Sequence, residues 1–255
     1  MVVLVLGDVV GMPGCTYVRE NLGRLKERYR VDIVVANGEN SAEGNGILPR
    51  SAKHLFDSGV DVITTGNHVL KRREIYETLE KRVGLIRPAN YHPKAPGAGY
   101  YIFDNCRLQL CVINLQGIVY MQSHRNPFEC IDELLGEIKT PNILVDFHAE
   151  ATAEKLCLGY YLDGRVSAVV GTHTHVPTAD ARILPGGTGY ITDLGMCGGL
   201  NSVLGVKAGC AIEKLRTSLP NRFETDPAEV RISGVVLEIN EKNGKCTKIK
   251  SLVMV

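Results

Sequence analysis

Five short apolar runs, each closed by a cluster of polar residues, constrain this chain more than any other feature. Val2–Leu6 runs into Gly7-Asp8-Val9-Val10-Gly11. Ile33–Ala36 runs into Asn37-Gly38-Glu39-Asn40, and Val60–Thr65 into Gly66-Asn67-His68. Ile143–Val145 is followed by Asp146-Phe147-His148-Ala149-Glu150, and Ala168–Val170 by Gly171-Thr172-His173-Thr174-His175. Runs this short, apolar and rich in β-branched residues suit strands covered on both faces. Such strands occur in α/β folds, where ligands bind outside the carboxyl ends of the strands.

The segments between them read as helices. Helices are predicted over Cys15–Tyr29, with Val18, Leu22 and Leu25 on one face, and over Pro49–Ser58, which opens on a proline. Arg72–Lys81, Phe128–Ile138 and Glu150–Leu158 are predicted helices too. The predicted strands are Val2–Leu6, Asp32–Ala36, Val60–Thr64, Leu108–Leu115, Ile143–Asp146 and Val166–Val170. The tail changes character. Arg182–Leu184 and Tyr190–Thr192 flank Pro185-Gly186-Gly187, a turn signal. Ile232–Asn240 and Cys246–Val253 flank a segment with Asn243-Gly244, a hairpin signal. No linker, repeat or low-complexity tract divides the chain. The expectation is one α/β domain over 1–255, two packed sheets with helices outside.

Composition narrows the partners. The 29 Lys and Arg balance 28 Asp and Glu, which argues against a broad grip on long nucleic acid or an anionic membrane. Trp is absent and aromatics are 6%, too few for an aromatic nucleic-acid platform. No apolar run reaches the ~18 residues of a membrane span. The apolar start lacks the basic flank of a secretory signal. Cys15, Cys106, Cys111, Cys130, Cys157, Cys197, Cys210 and Cys246 form no CxxC pair. They read as reduced thiols, so a cytoplasmic location is expected. Oligomeric state is left open, a homo-oligomer included.

Collected from the strand ends are Asp8, Glu39, Asn40, Asn67, His148, His173 and His175. Each alone has a plainer explanation. An Asp after a strand caps a helix, Asn37-Gly38 makes a turn, and a single His is a satisfied structural residue. His54, His92 and His124 are read that way. Five turns that all carry carboxylate, amide or imidazole, and no thiolate, instead suit Mn, Fe or Zn. Seven donors exceed one tetrahedral ion and suffice for two if a carboxylate bridges. An extended backbone through His173 and His175 would turn both rings to one side.

The text that carries these residues resembles a known family. GDVVG at 7–11, NGENSAEGNGI at 37–47, TTGNHV at 64–69, DFHAEATAEK at 146–155, GTHTHVPTAD at 171–180 and TDLGMCG at 192–198 resemble the calcineurin-like metallophosphoesterases, and more closely the YmdB-type bacterial phosphoesterases. Val10 stands where the wider superfamily has His, NGEN where it has GDxxD, and Val69 where it often has an acidic residue. All three departures are those of the YmdB-like subgroup.

The resemblance implies a two-sheet α/β sandwich of the metallophosphoesterase type and two metal ions, Fe, Mn or Zn. Asp8, Asn40 and His175 would bind one ion, Asn67, His148 and His173 the other, with Glu39 bridging. His68 corresponds to the catalytic histidine. The implied activity is hydrolysis of small cyclic nucleotides, 2′,3′-cyclic and also 3′,5′-cyclic, by attack of a metal-bridged hydroxide with His68 as general acid. The residues alone support only metal-assisted phosphate ester hydrolysis. A phosphomonoesterase or 5′-nucleotidase, and a metal-dependent regulatory protein that binds nucleotide or RNA, are the competing readings. Ser41, Asn45 and Thr192 are candidate substrate contacts. Asp146, Thr172, Thr174 and Asp180 are candidates to hold the imidazoles.

Overall fold

The structure, a computed structural model, describes residues 1–122 and 124–255. In chain order the elements are β1 (Val2–Leu6), β2 (Asp8–Val9), α1 (Gly11–Tyr29), β3 (Ile33–Asn37), α2 (Pro49–Asp57), β4 (Val62–Thr64), α3 (Tyr76–Glu80), β5 (Tyr100–Asp104) and β6 (Gln109–Gln116). There follow α4 (Pro127–Glu137), β7 (Ile143–His148), α5 (Thr152–Tyr161), β8 (Ala168–Thr172), β9 (Arg182–Ile183), β10 (Gly189–Ile191), β11 (Met196–Gly199), α6 (Ala208–Thr217), β12 (Val230–Ile239) and β13 (Cys246–Met254). The fold is mixed α/β with two sheets. One runs in the order β2-β11-β12-β1-β3-β4, with β13 added against β12; the other runs β5-β6-β7-β8-β10-β9.

Parallel pairing joins β1 to β3 and β3 to β4 in the first sheet, and β6, β7, β8 and β10 in the second. Alternate residues explain the unbroken apolar runs. Val3, Val5, Ile33 and Val35 share a core with Val112, Leu144, Ala168 and Val170 of the other sheet. Their neighbours Leu4, Leu6, Val34 and Ala36 pack with Val18, Leu22 and Leu25 of α1 and Leu55 of α2. On the second sheet, Ile113, Val145 and Phe147 pack with Ile131 of α4 and Leu158 of α5. Both faces of each central strand are covered, so no alternation of apolar and polar residues appears in the sequence.

Several boundaries differ from expectation. The predicted helix over Arg72–Lys81 is a 3-10 turn at Arg73–Ile75 followed by the short α3. Only Ile75 and Leu79 are buried there, too narrow a stripe to hold a longer helix against the core. Helix α1 starts at Gly11, four residues early, because Val10 offers no capping side chain to mark the start. Strands β2, β5 and β11 and helix α6 had no signal. β5 is a half-exposed edge strand, β11 reads Met-Cys-Gly-Gly, and α6 buries only Ala211. The tail hairpin of β12 and β13 and the β9–β10 pair form as expected. All eight cysteines are free. Among the described residues, no helix is long and apolar enough to cross a membrane.

Candidate metal centre

The strand ends of the two sheets meet. Asp8 begins β2 directly after β1; Glu39 and Asn40 follow β3; Asn67 and His68 follow β4. From the other sheet come His148, the last residue of β7, and His173 and His175, just past β8. All eight residues converge. His148 Nε2 lies 3.1 Å from Glu39 Oε1, 3.0 Å from Asn67 Oδ1 and 3.1 Å from His173 Nδ1. His175 Nε2 lies 3.1 Å from Asn40 Nδ2 and 3.7 Å from Asp8 Oδ1. Glu39 Oε1 touches both groups, since Asn40 Nδ2 donates to it at 3.3 Å.

Each of the three imidazoles has one nitrogen committed to an acceptor outside the cluster. Thr172 Oγ1 donates to Asp146 Oδ1 at 2.7 Å, so it accepts from His148 Nδ1 at 3.0 Å. The carbonyl of Leu204 accepts from His175 Nδ1 at 3.1 Å, and Glu150 Oε2 faces His173 Nε2 at 3.1 Å. These partners fix the tautomers. The remaining nitrogens, His148 Nε2, His173 Nδ1 and His175 Nε2, then turn their lone pairs inward. With His148 neutral, two of those lone pairs face each other across 3.1 Å. Asp8 Oδ1 is buried with no hydrogen-bond partner. Convergent lone pairs and an orphaned carboxylate oxygen fit a cation. Glu39, His148 and His173 each bring one such atom within 4.8 Å of the others.

The electrostatics say the same. Burial disfavours a charged His148, yet Glu39 and Asp8 outweigh it and lift its pKa to about 9. Burial also works against Glu39, but His148 holds it down to about 2. Asp8 is pushed up to about 6 by burial, and His173 down to about 3 by burial and the adjacent His148. Positive charge is favoured at His148 and disfavoured at His173, and a proton on His148 would compete with a metal for that place. His68 sits at the rim, its own pKa lowered by burial with Glu39 partly opposing. His68 N–H donates to Glu39 Oε2 at 2.9 Å, and its Nδ1 lies 3.1 Å from Asn40 Oδ1.

The backbone beyond β8 is not extended. His173 and His175 both have positive φ, 101° and 64°, so their rings reach different neighbours instead of one side. Gly66 shows how tightly the sheets meet: a Cβ there would lie 2.2 Å from His148 Cδ2. Asn45 lines the open cavity of about 660 Å³ beside the cluster, as do His68, His173 and His175. Ser41 and Thr192 stand elsewhere. Ser41 is buried and donates to Ser51, and Thr192 donates to Asp180 Oδ2. Asp180 therefore holds Thr192 and Thr178 and no imidazole. Thr174 contributes its backbone N–H, donated to Asp193. His124 stacks on Tyr91, and Lys94 N–H donates to His92.

Besides the Leu204 carbonyl, three side-chain contributors went unread. Asn37, taken as a turn residue, is buried; its Oδ1 accepts from Glu39 N–H at 3.1 Å and its Nδ2 donates to Asp146 at 3.2 Å. Glu150, expected in the polar cluster after the strand and as a helix start but not as the partner of an imidazole, faces His173. Lys155 pairs with Asp193 at 2.7 Å, both buried, beneath the loop that carries His173 and His175. Thr172→Val should lower metal affinity about 10- to 100-fold while leaving the fold intact, because His148 then loses the acceptor that fixes its tautomer. Titration with Mn²⁺ followed by calorimetry reads this; unchanged affinity would remove Thr172 from the centre.

Known proteins resemble this chain in sequence and in fold. Residues 4–252 match the family described as YmdB-like protein. A Bacillus subtilis protein named 2′,3′-cyclic-nucleotide 2′-phosphodiesterase is 45% identical over 257 positions, spanning 100% of this chain and 97% of its own. A Mycoplasma pneumoniae crystal structure described as a novel phosphatase superposes with a TM-score of 0.94 at 33% identity, covering 100% of this chain and 93% of that one. The NAD nucleotidase of Haemophilus influenzae gives a TM-score of 0.60 at 12% identity, over 100% of this chain and 56% of that one. That last likeness is one of fold alone. With family and relative both aligned along nearly its whole length, the chain belongs to the YmdB-like protein family.

Proposed function

We propose that this protein is a metal-dependent phosphodiesterase acting on small cyclic nucleotides, 2′,3′-cyclic ones first and 3′,5′-cyclic ones as a further class. The observation that carries it is the set of three imidazoles whose tautomers are fixed from outside, with lone pairs turned onto buried carboxylates. Asp8, Asn40 and His175 would hold one ion and Asn67, His148 and His173 a second, with Glu39 between them. Hard and borderline donors of this kind suit Fe, Mn or Zn. When bound, two such ions neutralise a phosphate ester's charge and acidify water. The named relative, a 2′,3′-cyclic-nucleotide phosphodiesterase, supports the substrate class. The core cluster shared by the two sheets supports a sandwich in one domain, and the unpaired cysteines support a reducing cytoplasm.

The chain's own residues perform the rest. His68 is the general acid. Its Nδ1 faces two acceptors, Asn40 Oδ1 at 3.1 Å and Glu39 Oε1 at 3.5 Å, so it keeps its hydrogen. Nε2 is then the nitrogen that delivers a proton to the leaving oxygen. Burial makes the protonated ring a stronger acid than a free imidazolium. The Glu39 carboxylate, accepting the His68 backbone N–H, ties the acid to the ligand set.

Protein stripped with a chelator should be inactive and regain turnover with Mn²⁺ or Fe²⁺. The loaded protein should hydrolyse bis-p-nitrophenyl phosphate faster than p-nitrophenyl phosphate. A clear preference for the monoester would replace this reading with that of a phosphomonoesterase.

A further inference from the structure

The cavity beside the metal cluster has a second wall that the ligand set does not explain. Besides His68, His173 and His175 it is lined by Leu204, Val206 and Phe223. Phe223 is 43% exposed, unusual for a phenylalanine in a chain with few aromatics. The segment that carries it is tied to the loop of Gly205 and Lys207. Lys207 N–H donates to the Glu224 carbonyl at 2.9 Å, and Asp226 N–H to the Gly205 carbonyl at 3.0 Å. The Lys214 ammonium sits 4.7 Å from the centre of the ring, over one face.

Charge describes what fits. Arg72 and Arg222 line the cavity together with Glu43 and Glu150, so its charged residues balance in number. A balanced, partly apolar wall suits an uncharged planar group better than a polyphosphate chain. The volume, about 660 Å³, lies in the range of small-molecule sites.

We propose that Phe223 is the platform on which the substrate's nucleobase stacks, making it a specificity-determining residue. This rests on the phosphodiesterase reading above, which places the phosphate at the metal cluster. The neighbouring cleft, about 290 Å³ and lined by Asn67, His68, Lys71, Tyr120 and Met121, takes the opposite side of the phosphate.

The test compares adenosine 2′,3′-cyclic phosphate with a base-free cyclic diester, glycerol cyclic phosphate. Phe223→Ala should lower kcat/KM for the nucleotide about 5- to 150-fold, mainly through KM, and leave the base-free diester within about twofold. Phe223→Trp should restore the nucleotide rate. Because the chain has no Trp, that variant also carries a single tryptophan at the site, which can be excited apart from the ten tyrosines. Adenosine monophosphate should quench it, and ribose phosphate should not. Equal losses on both substrates, no loss, or a base-dependent loss in Tyr120→Ala without one in Phe223→Ala would overturn the proposal. Wild-type protein that turns over neither diester would overturn the phosphodiesterase reading instead, and the quenching measurement would still decide the subsite.

Discussion

Glu39→Gln protein should fold normally, lose most of its bound metal and turn over substrate more than about 1,000-fold more slowly. Glutamine keeps the shape of the side chain and removes only its charge. That charge sits at the junction of the two ligand groups, fully buried, and among the described residues its ion-pair partners are the imidazoles of His68 and His148. An amide there would place N–H hydrogens or a weaker acceptor 3.1 Å from the lone pair of His148. A single well-placed electrostatic group is worth ~100- to 1,000-fold in rate, and Glu39 is proposed to hold the ions as well. Circular dichroism, elemental analysis and kcat on one preparation read all three. Intact metal with intact turnover would end the dinuclear proposal.

The second large effect belongs to His68. His68→Ala should keep its metal and lose ~100- to 10,000-fold in kcat on cyclic nucleotides, the range for a general acid. The loss should shrink with p-nitrophenyl esters, whose leaving group departs without a proton. Geometry favours retention of metal because the contact from position 68 to Glu39 Oε2 is made by backbone N–H, which alanine preserves. Loss of metal would make His68 a ligand. Equal slowing on good and poor leaving groups would make it a positioning residue.

How much of this was legible in the sequence follows from the physics of each residue. Strand-end residues could be read because an apolar run ending in Asp, Asn or His is a local pattern, and both-face burial keeps the runs unbroken. The partners that fix the imidazoles were mostly not legible. Leu204 serves through its backbone carbonyl, which no side-chain pattern reveals. Thr172 was suspected from its place beside His173, but Asp180, equally plausible by type, is spent on Thr192. Asn37 looked like any Asn-Gly turn, and only the approach of the second sheet buries it against Asp146. The positive φ of His173 and His175 was invisible too, since non-glycine residues seldom adopt it and its cost, ~1–3 kcal/mol each, is repaid only by tertiary context. Phe223 lies beyond the last recognisable motif, on a segment whose place is set by Gly205 and Lys207.

The contact between Asp8 and the backbone of His173 spans 165 residues of chain. That span has a consequence in time. A chain emerging amino end first has made Asp8, Glu39, Asn40 and Asn67 long before His148, and His175 arrives last. Until then each half offers a few weak donors in separate sheets. Closing so long a loop is slow compared with local folding. The complete set of proposed ligands thus comes into being only as the two sheets dock. A centre of this design cannot gather its full ligand set while the chain is still being made.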